Sequence, residues 1–236
     1  MLAQRYVSNE LTHFVGRGRA SPDEQYGVLV EILRSGWLTH PPHNPSISGN
    51  LEINSEGKFT AGEMYSPQVV CFCDIPVDDL SIHTTKYSRF GLSFRKEFLI
   101  DRGANPVFYI SQNTMVFPKE LHGRKTWAEL YDEWMTDYSS LMAEIQPLGR
   151  PPDMSMLQRV MHFQRFLDFF FLSYVKAFDA RHTDEDPENF YMEREWRMLG
   201  NLRFDLSDVY RVLVPEEYVP RLRADVPRYA AQITYV

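Results

Sequence analysis

Strand-like segments lie at both ends of this chain of 236 residues, and one long helical block lies between them. The strand-like runs, rich in β-branched and aromatic residues, are 6–15, 69–73, 90–94, 106–110, 191–199, 209–214 and 232–236. Helices do not alternate with these strands one by one, as a parallel βαβ fold requires. The order predicts an α+β fold with a mixed or mainly antiparallel sheet and a two-helix insertion.

Short capping motifs mark the ends of the helices. Ser21 and Glu24 stand three residues apart before an apolar helical pattern, which is the spacing of a capping box, and Gly36 ends that helix. Thr126 and Glu129 repeat the spacing at the start of the helical block. We therefore predict one helix before the central strands and another directly after Thr126.

The helical insertion spans about residues 124–182. Its second helix is predicted from an N-cap at Asp153 to about Ala180, after a proline-rich break at 147–152. The later part of this helix, 166–172, is apolar nearly all round. We expect its phenylalanine rings to be buried, either within their own domain or against another chain.

The composition is that of a globular protein, with 44% hydrophobic and 24% charged residues. The 25 basic and 32 acidic residues give a net charge of −7, so no basic excess points to nucleic-acid binding. No stretch has the length and apolarity of a signal peptide or a bilayer span, which predicts a cytoplasmic location without membrane attachment. No linker divides the chain, so a single domain over 1–236 is predicted.

Residues 39–67 differ from their surroundings, because prolines, glycines and asparagines replace most apolar residues. We predict a loop here, with a hairpin around Asn54 to Gly57. His40 and His43 lie in this segment three residues apart, and they are interpreted as solvated side chains rather than metal ligands.

The chain has two cysteines, Cys71 and Cys73, within the strand-like run 69–73. Two residues apart on one strand, they point to the same face but are too far apart for a relaxed disulfide. This indicates a reducing compartment. A Cys-x-Cys pair also lacks the second pair of ligands that a zinc site needs, so no metal site is predicted.

The run 191–199 carries the most informative polar pattern. On a strand, Glu193, Glu195 and Arg197 share one face, where two carboxylates repel each other. One interpretation is a solvent-exposed sheet face on which the arginine relieves the repulsion. The other is a cleft in which a carboxylate stabilises a positive charge that develops during a reaction.

Several runs together resemble the AbiGi family, which is linked to bacterial abortive phage infection and described as an antitoxin. The resemblance is carried by residues 11–16, 32–38, 70–76, 86–94 and 103–109. It is clearest from 69 to 110, in Val-Cys-Phe-Cys-Asp-Ile-Pro and the segments that follow. The resemblance implies a role in phage defence or in a toxin–antitoxin pair, and it names no chemistry.

A more distant resemblance is to the ADP-ribosyltransferases, which cleave NAD between nicotinamide and ribose. It implies a related fold, with Thr12 and His13 on the first strand holding the adenine-side ribose. It also implies that Tyr87 stacks on the nicotinamide. Glu195, paired with Glu193 as in the Glu-x-Glu of some members, would stabilise the cationic transition state as the catalytic carboxylate.

The sequence departs from that family on the central strand, where family members often have a Tyr or a Ser-x-Ser and this chain has Cys71 and Cys73. By their position, the resemblance implies that these two residues contact NAD.

Two functions are therefore compatible with the sequence. The first is an NAD-cleaving enzyme that transfers ADP-ribose to an unknown acceptor, such as a nucleic acid. The alternative is a non-catalytic antitoxin that binds a partner through the aromatic helix near 169–171. A cognate toxin or antitoxin and a second copy of the chain are the expected protein partners, and a nuclease is disfavoured by the absence of an acidic metal cluster.

Overall fold

The computed structural model describes residues 8–40, 46, 50–117, 120, 123–145, 154–183, 185–186 and 188–236. They belong to two compact units, of which unit 1 comprises Met1–Gly49, Gln68–Pro106 and Met192–Val236, and unit 2 comprises Asn50–Pro67 and Val107–Tyr191. The predicted insertion falls within unit 2. The single domain stays a prediction.

Strands and helices follow in chain order. The strands are β1 (Glu10–Phe14), β2 (Trp37–Leu38), β3 (Leu51–Ile53), β4 (Tyr65–Pro67), β5 (Val69–Cys73), β6 (Gly91–Arg95), β7 (Asn105–Pro106), β8 (Phe108–Ser111), β9 (Val175–Phe178), β10 (Glu195–Leu199), β11 (Leu202–Arg203), β12 (Val209–Val214) and β13 (Gln232–Tyr235). The helices are α1 (Pro22–Ser35), α2 (Ser81–Lys86), α3 (Lys96–Ile100), α4 (Trp127–Ile145), α5 (Met154–Phe166) and α6 (Val219–Asp225).

Unit 1 is built on a seven-stranded sheet in the order β13-β12-β6-β1-β5-β10-β7. The pair β12–β13 is parallel and the other pairs are antiparallel, which confirms the predicted α+β class with a mixed, mostly antiparallel sheet. Strand β1 pairs with β6 over five positions but with β5 at one position, Thr12 opposite Cys73.

The two faces of this sheet bury different side chains. On the face that packs against α1, Leu11, Phe72 and Leu92 join one apolar core with the helix residues Leu29 and Leu33. We call this the α1 face. The other, second face carries a smaller cluster that contains Cys73, Leu80 and Leu213, with Phe14 packed against it. Because successive strand residues alternate between faces, neighbouring residues of β1 belong to different environments.

Helix α1 begins and ends where the sequence predicts. The Ser21 hydroxyl accepts a hydrogen bond from the Glu24 backbone N–H at 3.3 Å, and Pro22 occupies the first turn. Gly36 follows the last turn in the left-handed region, with φ of 70°, and its N–H donates to the carbonyl of Ile32. This geometry turns the chain directly into β2.

Unit 2 combines a hairpin, two helices and a two-stranded parallel sheet. Strands β3 and β4 pair antiparallel with Ile53 opposite Tyr65, and β8 pairs with β9. A hairpin therefore lies within 39–67 as predicted, but its connection spans 54–64 instead of closing around Asn54 to Gly57. A core of Phe59, Met64, Tyr65, Met135 and Leu172 joins the hairpin to the helical segments. The N–H and hydroxyl of Thr60 both donate to the carboxylate of Asp132 on α4, at 2.9 and 3.0 Å.

The second helix of the insertion ends earlier than predicted. After Phe166 the chain forms a π-helical turn over Leu167–Phe171 and a 3-10 turn over Leu172–Tyr174, and it then enters strand β9 instead of continuing to Ala180. The turn buries the carboxylate of Asp168, which accepts hydrogen bonds from the hydroxyls of Tyr65 at 2.9 Å and Tyr138 at 3.2 Å. The predicted N-cap at Asp153 and the break at 147–152 lie outside the described residues.

The strand predicted at 106–110 is two strands. Asn105–Pro106 pairs with β10 in the large sheet, and Phe108–Ser111 pairs with β9 in unit 2. The continuous apolar run hides this division because both strands need the same residue types. The capping box predicted at the start of α4 is confirmed, because Glu129 N–H donates to the Thr126 hydroxyl while the Glu129 carboxylate accepts from Thr126 N–H.

Replacement of Gly36 by alanine tests the helix end. A Cβ there would lie 2.6 Å from the carbonyl oxygen of Phe204, and the φ of 70° disfavours any L side chain. We expect Gly36→Ala to lower the free energy of unfolding by about 2 kcal/mol in urea titrations. Gly27→Ala is the matched control, because Gly27 lies within α1 with open space around it, and it should raise stability by about 0.5–1 kcal/mol. Equal effects of the two substitutions on stability would contradict the left-handed helix end at Gly36.

Candidate functional site

One row of paired residues runs across the large sheet of unit 1. Arg211 lies opposite Ser93, Ser93 opposite Thr12, Thr12 opposite Cys73, and Cys73 opposite Glu195. Directly opposed residues project to the same face, so this row lies on the second face. The hydroxyls of Thr12 and Ser93 are 2.8 Å apart. The row brings three of the sequence-predicted site residues to one surface of the sheet.

The two glutamates of the predicted pair do not share a strand. Glu193 ends a 3-10 turn over Phe190–Glu193, and β10 begins at Glu195. Between them Arg194 has φ of 42°, in the left-handed region that non-glycine residues rarely adopt. The residue spacing alone therefore predicts the wrong geometry, because the kink at Arg194 breaks the alternation of a continuous strand.

Both carboxylates are nonetheless buried, and each has a cationic partner. Glu193 Oε1 accepts a hydrogen bond from Lys86 Nζ at 2.9 Å and another from the hydroxyl of Tyr87. Glu195 Oε1 accepts from Arg197 Nε at 2.6 Å. Each glutamate is 6% exposed. The sequence shows that Lys86 is next to Tyr87, but it does not show that Lys86 is buried or that it pairs with Glu193.

The electrostatics of Glu193 reflect opposing influences. Burial raises the pKa of its carboxyl above the usual value, and the charge of Glu195 raises it further. The hydrogen bond and the charge of Lys86 act in the opposite direction and lower this pKa. Lys86 is thus the main group that favours the ionised form of this carboxyl, in surroundings that disfavour its charge.

A buried histidine that the sequence does not single out lies beside this cluster. The ring of His83 packs against those of Phe14 and Tyr87, with centroids 6.1 and 6.3 Å away, and these two rings also stack on each other at 5.9 Å. Burial, with a smaller contribution from Lys86, lowers the pKa of His83 to about 4, so the ring is neutral at pH 7. Among the described residues neither of its ring nitrogens has a hydrogen-bond partner. Its aromatic neighbours hold it by stacking.

The two cysteines have different environments. Both are free thiols, Cys71 exposed and Cys73 buried. Burial raises the pKa of the Cys73 thiol to about 12, so at neutral pH it is protonated and a poor nucleophile. Cys71 is the accessible thiol of the pair.

His13 occupies the other side of the sheet. Its Nδ1 lies 2.7 Å from the carbonyl oxygen of Cys71, and its ring meets that of Phe72 edge-on at 5.9 Å, on the α1 face. Glu195 projects from the second face, and Tyr87 packs there too. The structure does not bring His13, Tyr87 and Glu195 to one face, although an NAD-cleaving cleft built on the resemblance requires it.

Unit 2 carries a second candidate site. Six large apolar side chains of α4, α5 and the π-helical turn are each more than half exposed. Met161 stands apart, on the opposite side of α5 from Phe163, because successive helix residues are about 100° apart. The other five are Trp134, Leu141, Phe163, Phe166 and Phe170. We call these five residues the apolar surface. The rings of Phe166 and Phe170 stack on each other at 6.2 Å. The expectation that these rings are buried within their own domain is wrong, because the π-helical turn directs Asp168 inward instead.

A groove of about 700 Å³ lies between α4 and α5. It is lined almost wholly by apolar and aromatic side chains, among them Leu130, Trp134, Met142, Val160 and Phe163. The groove and the apolar surface are continuous, because Trp134, Leu141 and Phe163 belong to both.

The described part of the chain offers neither a metal-binding cluster nor a membrane-spanning helix. It contains no group of three or more histidine, cysteine or acidic side chains arranged to hold a metal ion. None of its helices combines the length and the apolarity that a membrane crossing demands.

Comparison with known proteins gives the chain its family. A family model described as "Putative abortive phage resistance protein AbiGi, antitoxin" matches residues 60–224, which is more than half of the chain. The chain belongs to the AbiGi family. The match includes Tyr87, Glu193, Glu195 and the whole apolar surface, whereas β1 with Thr12 and His13 precedes it.

An AbiGi relative gives the same result. The abortive phage resistance protein AbiGi of Lactococcus lactis subsp. cremoris is 26% identical over 176 residues, 70% of this chain and 63% of the relative. The chain therefore spans less than two thirds of that relative's length. No solved structure matches the chain significantly. The family comparisons support the AbiGi resemblance and give no support to the resemblance to ADP-ribosyltransferases.

The pairing of Lys86 with Glu193 makes stability depend on pH in a defined direction. Lys86→Met should raise the pKa of Glu193 further, and a carboxyl with a raised folded-state pKa loses stability as pH rises above its unfolded value. We expect a loss of about 3 kcal/mol at pH 8 and a smaller loss at pH 5 in urea titrations. The double variant Lys86→Met with Glu193→Gln should lack this difference. An equal loss at both pH values in the single variant would show that the pairing is not responsible.

Proposed function

We propose that this chain is a non-catalytic antitoxin of the AbiGi family that acts in the cytoplasm by binding a toxin protein. The observation that carries the proposal is the apolar surface of unit 2. Its five residues include one tryptophan and three phenylalanines, and Trp134 is 69% exposed. Contiguous exposed apolar surfaces of this kind are uncommon on monomers and mark interaction sites. The family description supplies the class of partner, because an antitoxin acts on a toxin.

The apolar surface stands on a fixed base, as a binding surface requires. The capping box at Thr126 fixes the start of α4, and Asp132 anchors that helix to Thr60. Asp168 joins the π-helical turn to tyrosines of the hairpin and of α4. With these contacts made before binding, little conformational entropy is lost when a partner docks.

The chemistry of unit 1 favours binding over catalysis. Glu195, the proposed catalytic carboxylate, is buried and paired with Arg197 at 2.6 Å, so its charge is already compensated. His13 lies on the opposite face of the sheet from it. A carboxylate accelerates a reaction when it meets a developing positive charge that has no other partner, and this arrangement does not offer one.

NAD cleavage with transfer of ADP-ribose is the second candidate function. One observation favours it: Tyr87, Glu193 and Glu195 gather in one buried cluster on the second face, where a carboxyl pKa is raised. Clusters of perturbed carboxyls occur at catalytic sites and also in structural ion-pair networks. A protein or nucleic-acid acceptor would complete this reaction.

Growth rescue tests the binding function directly. Cells that produce the toxin of the same defence locus should resume growth when this chain is co-produced. The double variant Phe166→Glu/Phe170→Glu should lose rescue and complex formation, measured by co-purification with that toxin. Both side chains are exposed, so its melting temperature should change by only a few degrees. Met161→Glu is the matched control, an exposed residue of α5 outside the apolar surface, and should rescue fully. Full rescue by the double variant would refute the proposal that the apolar surface binds the toxin.

Nicotinamide release tests the enzymatic function. If the chain is a binding protein, incubation with NAD should release no nicotinamide above a blank. Glu195→Gln loses stability with its ion pair to Arg197, but it should still rescue growth at a temperature at which it is folded. An NAD-cleaving enzyme would release nicotinamide and lose that release in Glu195→Gln, because the substitution keeps size and removes charge. Release by the wild type that this variant abolishes would therefore overturn the non-catalytic proposal.

A further inference from the structure

A cavity opens in unit 1 where strands β1 and β5 part. The two strands pair only at Thr12 and Cys73, and beyond that position they leave a space of about 560 Å³. Its apolar floor includes Val28 and Ile32 of α1 and Val70 of β5. This volume lies within the range of small-molecule sites in proteins.

Two histidines are fixed at the wall of this cavity by the same strand. Nδ1 of His13 lies 2.7 Å from the carbonyl oxygen of Cys71, and Nδ1 of His40 lies 3.2 Å from that of Val69. A carbonyl oxygen only accepts hydrogen bonds, so both Nδ1 atoms carry the proton. Each ring therefore has a set orientation and tautomer, with its Nε2 edge turned away from the backbone.

Two arginines reach the cavity from a tight turn that directly follows β1. Gly16 and Gly18 have φ of 80° and 79°, and a Cβ on Gly16 would lie 2.7 Å from Cα of Gln25. The N–H of Arg19 donates to the carbonyl of Gly16 at 3.0 Å. The turn thus holds Arg17 and Arg19 two residues apart, at the rim of the same cavity.

The charge of this cavity has one sign. Its described lining residues include two arginines and two histidines and no aspartate or glutamate. The guanidinium of Arg17 lies over the ring of Tyr87, 5.1 Å from its centroid. Burial raises the pKa of the nearby Glu193 carboxyl, whereas Lys86 and, more weakly, Arg17 lower it, so Arg17 also interacts with this carboxylate.

We propose that this cavity binds a small organic phosphate, with its phosphate groups at Arg17 and Arg19 and its organic part on the apolar floor. Guanidinium groups match phosphate oxygens in geometry and charge. The volume exceeds what inorganic phosphate fills, which favours an organic ester. The proposal is independent of toxin binding, because it concerns different residues of a different unit.

Calorimetric titration of the full chain with three probes tests the site. ADP should bind, inorganic pyrophosphate should bind more weakly because it leaves the apolar floor empty, and adenosine should not bind measurably. Arg17→Gln and Arg19→Gln should each weaken ADP binding about tenfold or more, because each removes a charge-assisted hydrogen bond. Arg223→Gln, an exposed arginine of α6 outside the cavity, should leave it unchanged.

Equal binding of adenosine and ADP, undiminished affinity in both arginine variants, or absence of binding to ADP and pyrophosphate would each overturn the proposal. Tighter binding of an oligonucleotide than of ADP, weakened by the same arginine variants, would also overturn it in favour of a nucleic-acid site.

Discussion

Strand β1 holds the sheet of unit 1 together through an unequal pairing. It is hydrogen-bonded to β6 over five positions and meets β5 only at Thr12, opposite Cys73. That one contact continues the sheet toward β10, and the parting of the strands beyond it makes the cavity. Because alternate residues of β1 face opposite ways, Thr12 joins the polar row of the second face while His13 points to the α1 face.

The charged side chains that the sheet buries form ion pairs with side chains of opposite charge. Four ion pairs of unit 1 have side chains less than one fifth exposed: Glu10–Arg211, Asp74–Lys96, Glu193–Lys86 and Glu195–Arg197. Buried pairs of this kind contribute little net stability over apolar residues, but the loss of one partner is costly. They restrict the ways in which the strands can pair, since a shift of one residue would leave buried charges without partners.

Helices and strands whose sequence signals lie within a few residues of one another could be predicted from the sequence. Strands β5 and β12, the caps of α1 and the capping box of α4 follow from residue types within a few positions of one another. Tertiary contacts decided the rest. The second helix of the insertion ends near Asp168 because that carboxylate is buried among tyrosines from distant segments, which no helical periodicity encodes. Similarly, the pairing of Glu193 with Lys86 spans more than a hundred residues and follows from the kink at Arg194.

The chain passes between its two units four times, after residues 49, 67, 106 and 191. Unit 2 is therefore assembled from two stretches of the gene, with the hairpin β3–β4 encoded apart from the helices that it packs against. A single recombination crossover cannot exchange unit 2 alone, because any one breakpoint either divides it or carries part of unit 1 with it. A crossover after residue 106 would exchange the partner-binding helices together with strands β10 to β13 and would leave the hairpin behind. The incoming segment would then have to fit both the hairpin in the core of unit 2 and the large sheet of unit 1.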